Sequence, residues 1–197
     1  MSDAERVSRH LRITEPSPWI RRFFGSVPKD EGPVLDLACG GGRHAGVLVD
    51  AGYGVVAVDK DTAAIRERLG DRNGLTFLDI DLEDGPPPFD PPSPLADRKF
   101  AGIVVVNYLH RPLFAPLIAA LMPGGVLIYE TFAKGNEAFG KPRNPDHLLA
   151  AGELLDVCRD LHVVAYECGL DEAAELPGMK QRICAVNAND PEPPVVI

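Results

Sequence analysis

No two of the four cysteines, Cys39, Cys158, Cys168 and Cys184, form a CxxC pair or stand at a Cys/His metal spacing. Thiolate metal centres and dithiol redox motifs are thereby excluded, and no metal is expected. No stretch approaches the roughly 18–20 apolar residues that a bilayer-spanning helix needs. Residues 1–13 carry Arg6, Arg9 and Arg12 but lack the apolar run of a secretory signal. Reduced thiols in a soluble, cytoplasmic chain are the expectation. Basic charge is also short: 20 Lys and Arg stand against 29 Asp and Glu, a net charge of -9. Such a surface opposes a phosphate backbone, so DNA is not an expected partner, although a local basic patch is compatible with it.

What is present reads as one domain. A chain of 197 residues, 45% hydrophobic and 25% charged, can build its own core. The reading is a single domain over 1–197, with an N-terminal helical segment in 1–30 and a disordered tail over 190–197. Oligomeric state is left open. Short β-branched runs alternate with helical patterns, the mark of a parallel sheet covered on both faces. Strands are expected at 34–38, 55–59, 76–80, 102–107 and 126–129. Helices are expected from Ser17-Pro18 to Gly25, over 43–51, from Asp61 or Thr62 to Leu69, over 112–122 and around 152–161, with Pro123-Gly124-Gly125 as a terminator. Between 85 and 94 the prolines rule out a crossover helix and predict an extended loop. Strands at 162–167 and 182–187 are separated by too few residues for a crossover, so they are expected to be antiparallel.

The informative segment is Asp36-Leu37-Ala38-Cys39-Gly40-Gly41-Gly42-Arg43-His44-Ala45, between a strand and a helix. Glycines there admit positive φ and close approach of a ligand to the backbone. Asp59 ends the second strand 19 residues beyond Gly40, near the roughly 20 expected of an acid that binds ribose hydroxyls. Gly40-x-Gly42-x-x-Ala45 also fits a dinucleotide fingerprint. A pyrophosphate, however, seeks a helix N-terminus without a carboxylate beside it. Asp36 at the end of the first strand would repel it and would suit S-adenosylmethionine, which brings a sulfonium and an ammonium.

Asp36-x-Ala38-x-Gly40-x-Gly42 resembles motif I of the class I S-adenosylmethionine-dependent methyltransferases, with alanine in place of the usual first glycine. Ala57-Val58-Asp59-Lys60-Asp61 and Asp79-Ile80-Asp81-Leu82-Glu83 resemble the family's strand-two and strand-three motifs, and Pro123-Gly124-Gly125-Val126-Leu127 its turn before strand five. Motif I and Ala151-Gly152-Glu153-Leu154 are similar to the small tellurite-resistance and thiopurine-type members. The acid many members carry before strand four is Ala101 here. The resemblance implies a doubly wound, mostly parallel seven-stranded α/β sheet with an antiparallel last strand. It also implies S-adenosylmethionine as cofactor. Carried over, Gly40 and Gly42 contact the cofactor through backbone, with Ala38 in the same loop. Asp36 lies near the methionine amino group, Asp59 with Lys60 holds the ribose, Asp81 and Leu82 hold adenine, and Asn107 lines the site after strand four.

Ligands of open α/β sheets bind beyond the carboxyl ends of the strands. Methyl transfer is a displacement at an activated carbon, so positioning carries most of the catalysis. His110 is the candidate base by its pKa range, and Tyr108 is a second catalytic candidate. Tyr129 and Arg143 are candidate substrate contacts, the latter in the loop Lys141-Pro142-Arg143-Asn144, which could act as a cationic lid. A small-molecule acceptor is the first reading. The alternatives are an RNA or protein methyltransferase using Lys141 and Arg143, and a cofactor-binding fold without catalysis.

Overall fold

The computed structural model describes residues 13–173 and 177–188. The expected tail at 190–197 and the first 12 residues of the helical segment lie outside the described residues. Seven strands form one sheet: β1 (Val34–Leu37), β2 (Val55–Asp59), β3 (Leu75–Asp79), β4 (Phe100–Val106), β5 (Leu121–Phe132), β6 (His162–Asp171) and β7 (Gly178–Val186). Their order is β3-β2-β1-β4-β5-β7-β6. β1 to β5 pair in parallel, while β7 lies antiparallel to both β5 and β6. The fold is therefore the expected doubly wound α/β sheet with an antiparallel last strand.

Among the described residues, five α-helices cover it: α1 (Pro18–Phe23), α2 (Arg43–Asp50), α3 (Ala63–Leu69), α4 (Phe114–Ala120) and α5 (Glu153–Val157). Side chains alternate between faces along every strand. Val34, Val55, Ala57, Val104, Ile128 and Cys184 pack under α1, α2 and α3. Leu35, Val56, Ile103, Leu127, Tyr129 and Ile183 pack under α4 and α5. Both faces are apolar because both are covered. None of the described helices is long and apolar enough to cross a membrane, and the four cysteines are free thiols.

Local chemistry sets the boundaries. Ser17 caps α1 by accepting from the Trp19 N–H at 3.1 Å, and Pro18 fills the first helical position. No helix forms between β3 and β4, where the prolines stand; a turn-rich loop drops Leu95 into the core instead. Two boundaries move. Pro123-Gly124-Gly125 does not end a helix: α4 stops at Ala120, and β5 already begins at Leu121. The register against β4 slips between Phe100 and Gly102, so 122–125 bulge out without breaking the strand. β6 and β7 are longer than their apolar runs, because pairing continues from Cys168↔Gln181 to Asp171↔Gly178 at the polar tip.

Gly42 caps α2 at φ 72°, and a Cβ there would overlap the Ile65 side chain of α3. Gly42→Ala should lower stability by about 2–4 kcal/mol, combining left-handed backbone strain with overpacking. Urea denaturation of the variant measures it; an unchanged midpoint would show that Ile65 and the loop relax freely.

Candidate active site

After Leu37 the chain leaves the sheet through Ala38 at φ 54° and Gly40 at φ 52°. The Cys39 N–H reaches the Val58 carbonyl at 3.0 Å, and the Gly40 N–H donates to Asp59 Oδ2 at 2.8 Å. The loop is thereby fastened to the end of β2. Among the described residues, the second Asp59 oxygen has no partner. A cavity of about 560 Å³ opens beside it, walled by Ala38, Asp59, Lys60, Asp81, Leu82 and Tyr108. A second, of about 200 Å³, shares Ala38 and Tyr108 and adds Gly40, Arg43, His44 and Asn107. A third, of about 390 Å³, shares Arg43 and Asn107 and extends to Ser17, Arg21, Glu130 and Lys180. All three lie at the carboxyl ends of the parallel strands, where such sheets bind ligands.

Asp81 closes its own turn, with Oδ1 accepting from the Glu83 and Asp84 N–H groups, each at 3.1 Å. Its Oδ2 pairs with Lys60 Nζ at 2.5 Å, and Lys60, itself 75% exposed, holds the Asp81 carboxyl below the usual range. Leu82 is buried between this cavity and the core. Asn107 adopts φ 57°, fixed by its N–H on the Glu130 carbonyl at 2.8 Å. Among the described residues its Oδ1 is buried without a hydrogen-bond partner, as is the Tyr108 hydroxyl, which lies near the Glu83 carboxylate. Burial first, then the Glu83 charge, push the Tyr108 hydroxyl upward. Both causes favour the protonated form of Tyr108, which can donate a hydrogen bond. Two buried polar groups lacking partners at one mouth are what a polar ligand would satisfy.

Four expected site residues, Asp36, Gly42, Tyr129 and Arg143, wall none of these cavities, and His110 lies to one side of them. Asp36 points under α2 because it shares the parity of Val34; it is 1% exposed, and its Oδ2 accepts from the Ala45 N–H at 2.9 Å. It caps a helix and walls none of the three cavities. Burial lifts its carboxyl to about 7, so the repulsive charge expected of it is much reduced near neutrality. Gly42 is buried beneath Ile65, and its N–H is spent on the Cys39 carbonyl at 2.9 Å. Tyr129 lies in the core against Phe114, its hydroxyl donating to the Tyr108 carbonyl at 2.8 Å. His110 faces a cavity of about 230 Å³ that adjoins the one beside Asp59, sharing the Asp81–Asp84 turn as a wall. Arg143 is exposed and donates to the Gly140 carbonyl at 3.3 Å, within its own turn. The loop it belongs to is pinned at its far end: Arg111 binds Glu153 at 2.7 Å and 3.0 Å, and also the Asp146 and Leu148 carbonyls. That is a clamp, not a lid.

A buried ion cluster was missed. Glu130, 2% exposed, takes Lys180 Nζ on Oε1 at 2.9 Å, and Ser17 Oγ at 2.9 Å and Arg182 Nε at 2.8 Å on Oε2. Arg182 also binds Asp171. Close by, His44 Nε2 accepts from the Ser17 N–H at 3.2 Å, and burial holds its imidazole neutral. The signal was available: Glu130 interrupts an apolar strand, and Lys180 and Arg182 alternate into the same face of β7.

No family model and no curated protein matches the chain. Its fold is similar to several solved structures. The crystal structure of N-methyltransferase NodS from Bradyrhizobium japonicum WM9 with S-adenosyl-L-homocysteine superposes with a TM-score of 0.65 at 15% identity, covering 93% of this chain and 97% of that one. A Burkholderia thailandensis 1,6-didemethyltoxoflavin-N1-methyltransferase, with 1,6-didemethyltoxoflavin and S-adenosylhomocysteine bound, gives 0.61 at 16%, covering 95% and 82%. TehB from Haemophilus influenzae gives 0.62 at 17%, covering 80% of this chain but only 58% of TehB. At these identities the likeness is one of fold: a methyltransferase variant of the Rossmann-like sheet.

The buried Asp36 makes stability depend on pH. An unfolded aspartate releases its proton near 3.8, while the folded one holds it to about 7. Between those values the folded state binds more protons, so raising the pH through that window costs stability, by up to about 4 kcal/mol. Asp36→Asn keeps an acceptor for Ala45 and should flatten this dependence. Denaturation of both proteins between pH 4 and pH 8 tests it; parallel curves would refute the shift.

Proposed function

We propose that this chain transfers the methyl group of S-adenosylmethionine to a small-molecule acceptor. One observation carries the reading: Asp59 at the end of β2, pinned by the Gly40 N–H at 2.8 Å, presents a second oxygen to a cavity also walled by Asp81 and Leu82. A carboxylate set in that way accepts from a ribose diol. Leu82 supplies an apolar wall and Asp81 an acceptor suited to adenine. The buried Asn107 Oδ1 and the Gly40 backbone, at the adjoining cavity, suit the amino-acid end of the cofactor. When bound there, S-adenosylmethionine supplies an electrophilic methyl carbon on a sulfonium. Neighbours of this fold crystallised with S-adenosylhomocysteine support the choice of cofactor.

Asp36 and Gly42 serve this site indirectly, by holding α2 against β1 and α3. Asp36 also occupies the Ala45 N–H, a helix-start donor that a pyrophosphate would use, which disfavours NAD. Lys60 orients Asp81 instead of meeting the ribose itself. Lys141 and Arg143 wall none of the three cavities, so nothing favours the RNA or protein alternative. A cytoplasmic location with reduced thiols belongs to the same proposal.

S-adenosylhomocysteine should bind measurably in titration calorimetry while NAD does not. Asp59→Ala should weaken that binding by about 2–4 kcal/mol, the worth of charge-assisted hydrogen bonds at a sheltered site. NAD binding without S-adenosylhomocysteine binding would overturn the cofactor reading.

His110 faces a different cavity from Asn107 and Lys180, so its removal should reduce turnover only a few-fold. A general base would contribute about 10²–10⁴-fold. Thiol, phenol and amine acceptors with radiolabelled donor distinguish the two; a loss of the larger size would restore His110 as the base.

A further inference from the structure

The cavity of about 390 Å³ walled by Ser17, Arg21, Arg43, Asn107, Glu130 and Lys180 has a wall chemistry that selects its ligand. It adjoins the cavity of the glycine loop through Arg43 and Asn107, and its size suits a small organic molecule. Its carboxylates are already engaged. Glu130 accepts from Ser17 and Lys180 and is ion-paired with Arg182; Asp171 is bound by Arg182; and Glu15 pairs with Arg21 at 2.6 Å. Lys180 differs. An ammonium has three N–H bonds, and among the described residues only Glu130 Oε1, at 2.9 Å, takes one. The side chain is 5% exposed, with Nζ 5.3 Å from the centre of the Phe132 ring. Its other donors have no partner among the described residues, and the side chain walls the cavity.

We propose that this cavity binds the methyl acceptor, and that Lys180 recognises it by donating to an anionic oxygen, so that the preferred acceptors are small carboxylate-bearing molecules. The proposal rests on the methyltransferase reading for the word acceptor, but the anion site stands on the cavity itself. Glu130 holds Lys180 charged and in place, and Ser17 and Arg182 hold Glu130. A cationic ligand of the same shape would leave the Lys180 donors unpaired, at the cost of a buried polar group without a partner, and a neutral one would offer only a weaker, uncharged acceptor.

Benzoate, benzamide and benzylammonium are probes of nearly one shape and differ in charge. In amide-resolved NMR titrations of the wild-type protein at fixed ionic strength, benzoate should shift the Ser17, Asn107 and Lys180 signals. It should bind roughly tenfold or more tightly than benzamide, with benzylammonium weakest. Lys180→Arg should keep that ranking, and Lys180→Gln should erase it while benzamide binding is unchanged. Should Lys180→Gln not fold, the wild-type ranking and the Lys180→Arg variant decide alone. Equal binding of the three probes, a preference for benzylammonium, or benzoate shifts confined to other parts of the sheet would overturn the proposal. Titration with S-adenosylhomocysteine is a separate arm. No binding there, with the benzoate preference intact, removes the cofactor reading and leaves the anion site.

Discussion

Every strand of this sheet is a two-sided object, and the covering of both sides governs the rest. With α1, α2 and α3 on one face and α4 and α5 on the other, the central strands β1, β2, β4, β5 and β7 are largely shut off from water on both faces, while the edge strands β3 and β6 stay partly exposed. A polar side chain in a strand must therefore find a partner within the layer it points into or emerge at a strand end. Asp59 emerges. Asp36, Glu130 and Lys180 do not, and each is answered from the α1–α2 side: Asp36 by Ala45, Glu130 by Ser17, Lys180 by Glu130. The candidate site is the rim where this constraint is lifted, and its chemistry is what the constraint leaves exposed.

Two carboxylates at similar depth illustrate the energetics. Removing an ion from water costs several kcal/mol, and only multiple well-placed donors offset it. Asp36 has one backbone N–H, which is too little, and it gives way by holding its proton up to about 7. Glu130 has a hydroxyl and two cations. Such a cluster contributes little net stability compared with an apolar core, but it fixes the positions of three chain segments, α1's cap, β5 and β7, around one point.

The order of elements was legible because hydrophobic period, glycine stops and prolines all act locally. The prolines between β3 and β4 forbade a helix, and the short spacing after β6 forced an antiparallel return; both hold. Asp59 and Gly40 were legible as a pair from spacing alone. What failed was direction. Position places Asp36 and Tyr129 at the strand-end crevice, although parity with Val34 and Leu127 sends the first under α2 and the second into the opposite core; the same rule sends Glu130, which shares the parity of Ile128, towards Ser17. The Lys180–Glu130 pair was not legible by spacing, since it joins residues 50 apart through the β5–β7 register. Arg143 misled for another reason: exposed cations in loops carry no directional information, and Arg111 determines where that loop lies.

The two non-glycine residues in left-handed backbone at the site, Ala38 at φ 54° and Asn107 at φ 57°, sit on either side of the junction between the cavities. Each conformation costs on the order of 1–2 kcal/mol for a residue with a Cβ. Each is held by a strand-end hydrogen bond beside it, Cys39 N–H to Val58 at 3.0 Å and Asn107 N–H to Glu130 at 2.8 Å. Strain sustained by the ends of β2 and β5 keeps the loop backbone and the Asn107 amide aimed at one point without a ligand to draw them there. Glu130 thus acts twice: its carbonyl fixes Asn107, and its carboxylate fixes Lys180. The residue that joins the nucleoside-side cavities to the anion-side cavity is therefore Glu130, a buried wall of the second whose carboxylate is already engaged, and its burial is what makes the alignment of the two rigid.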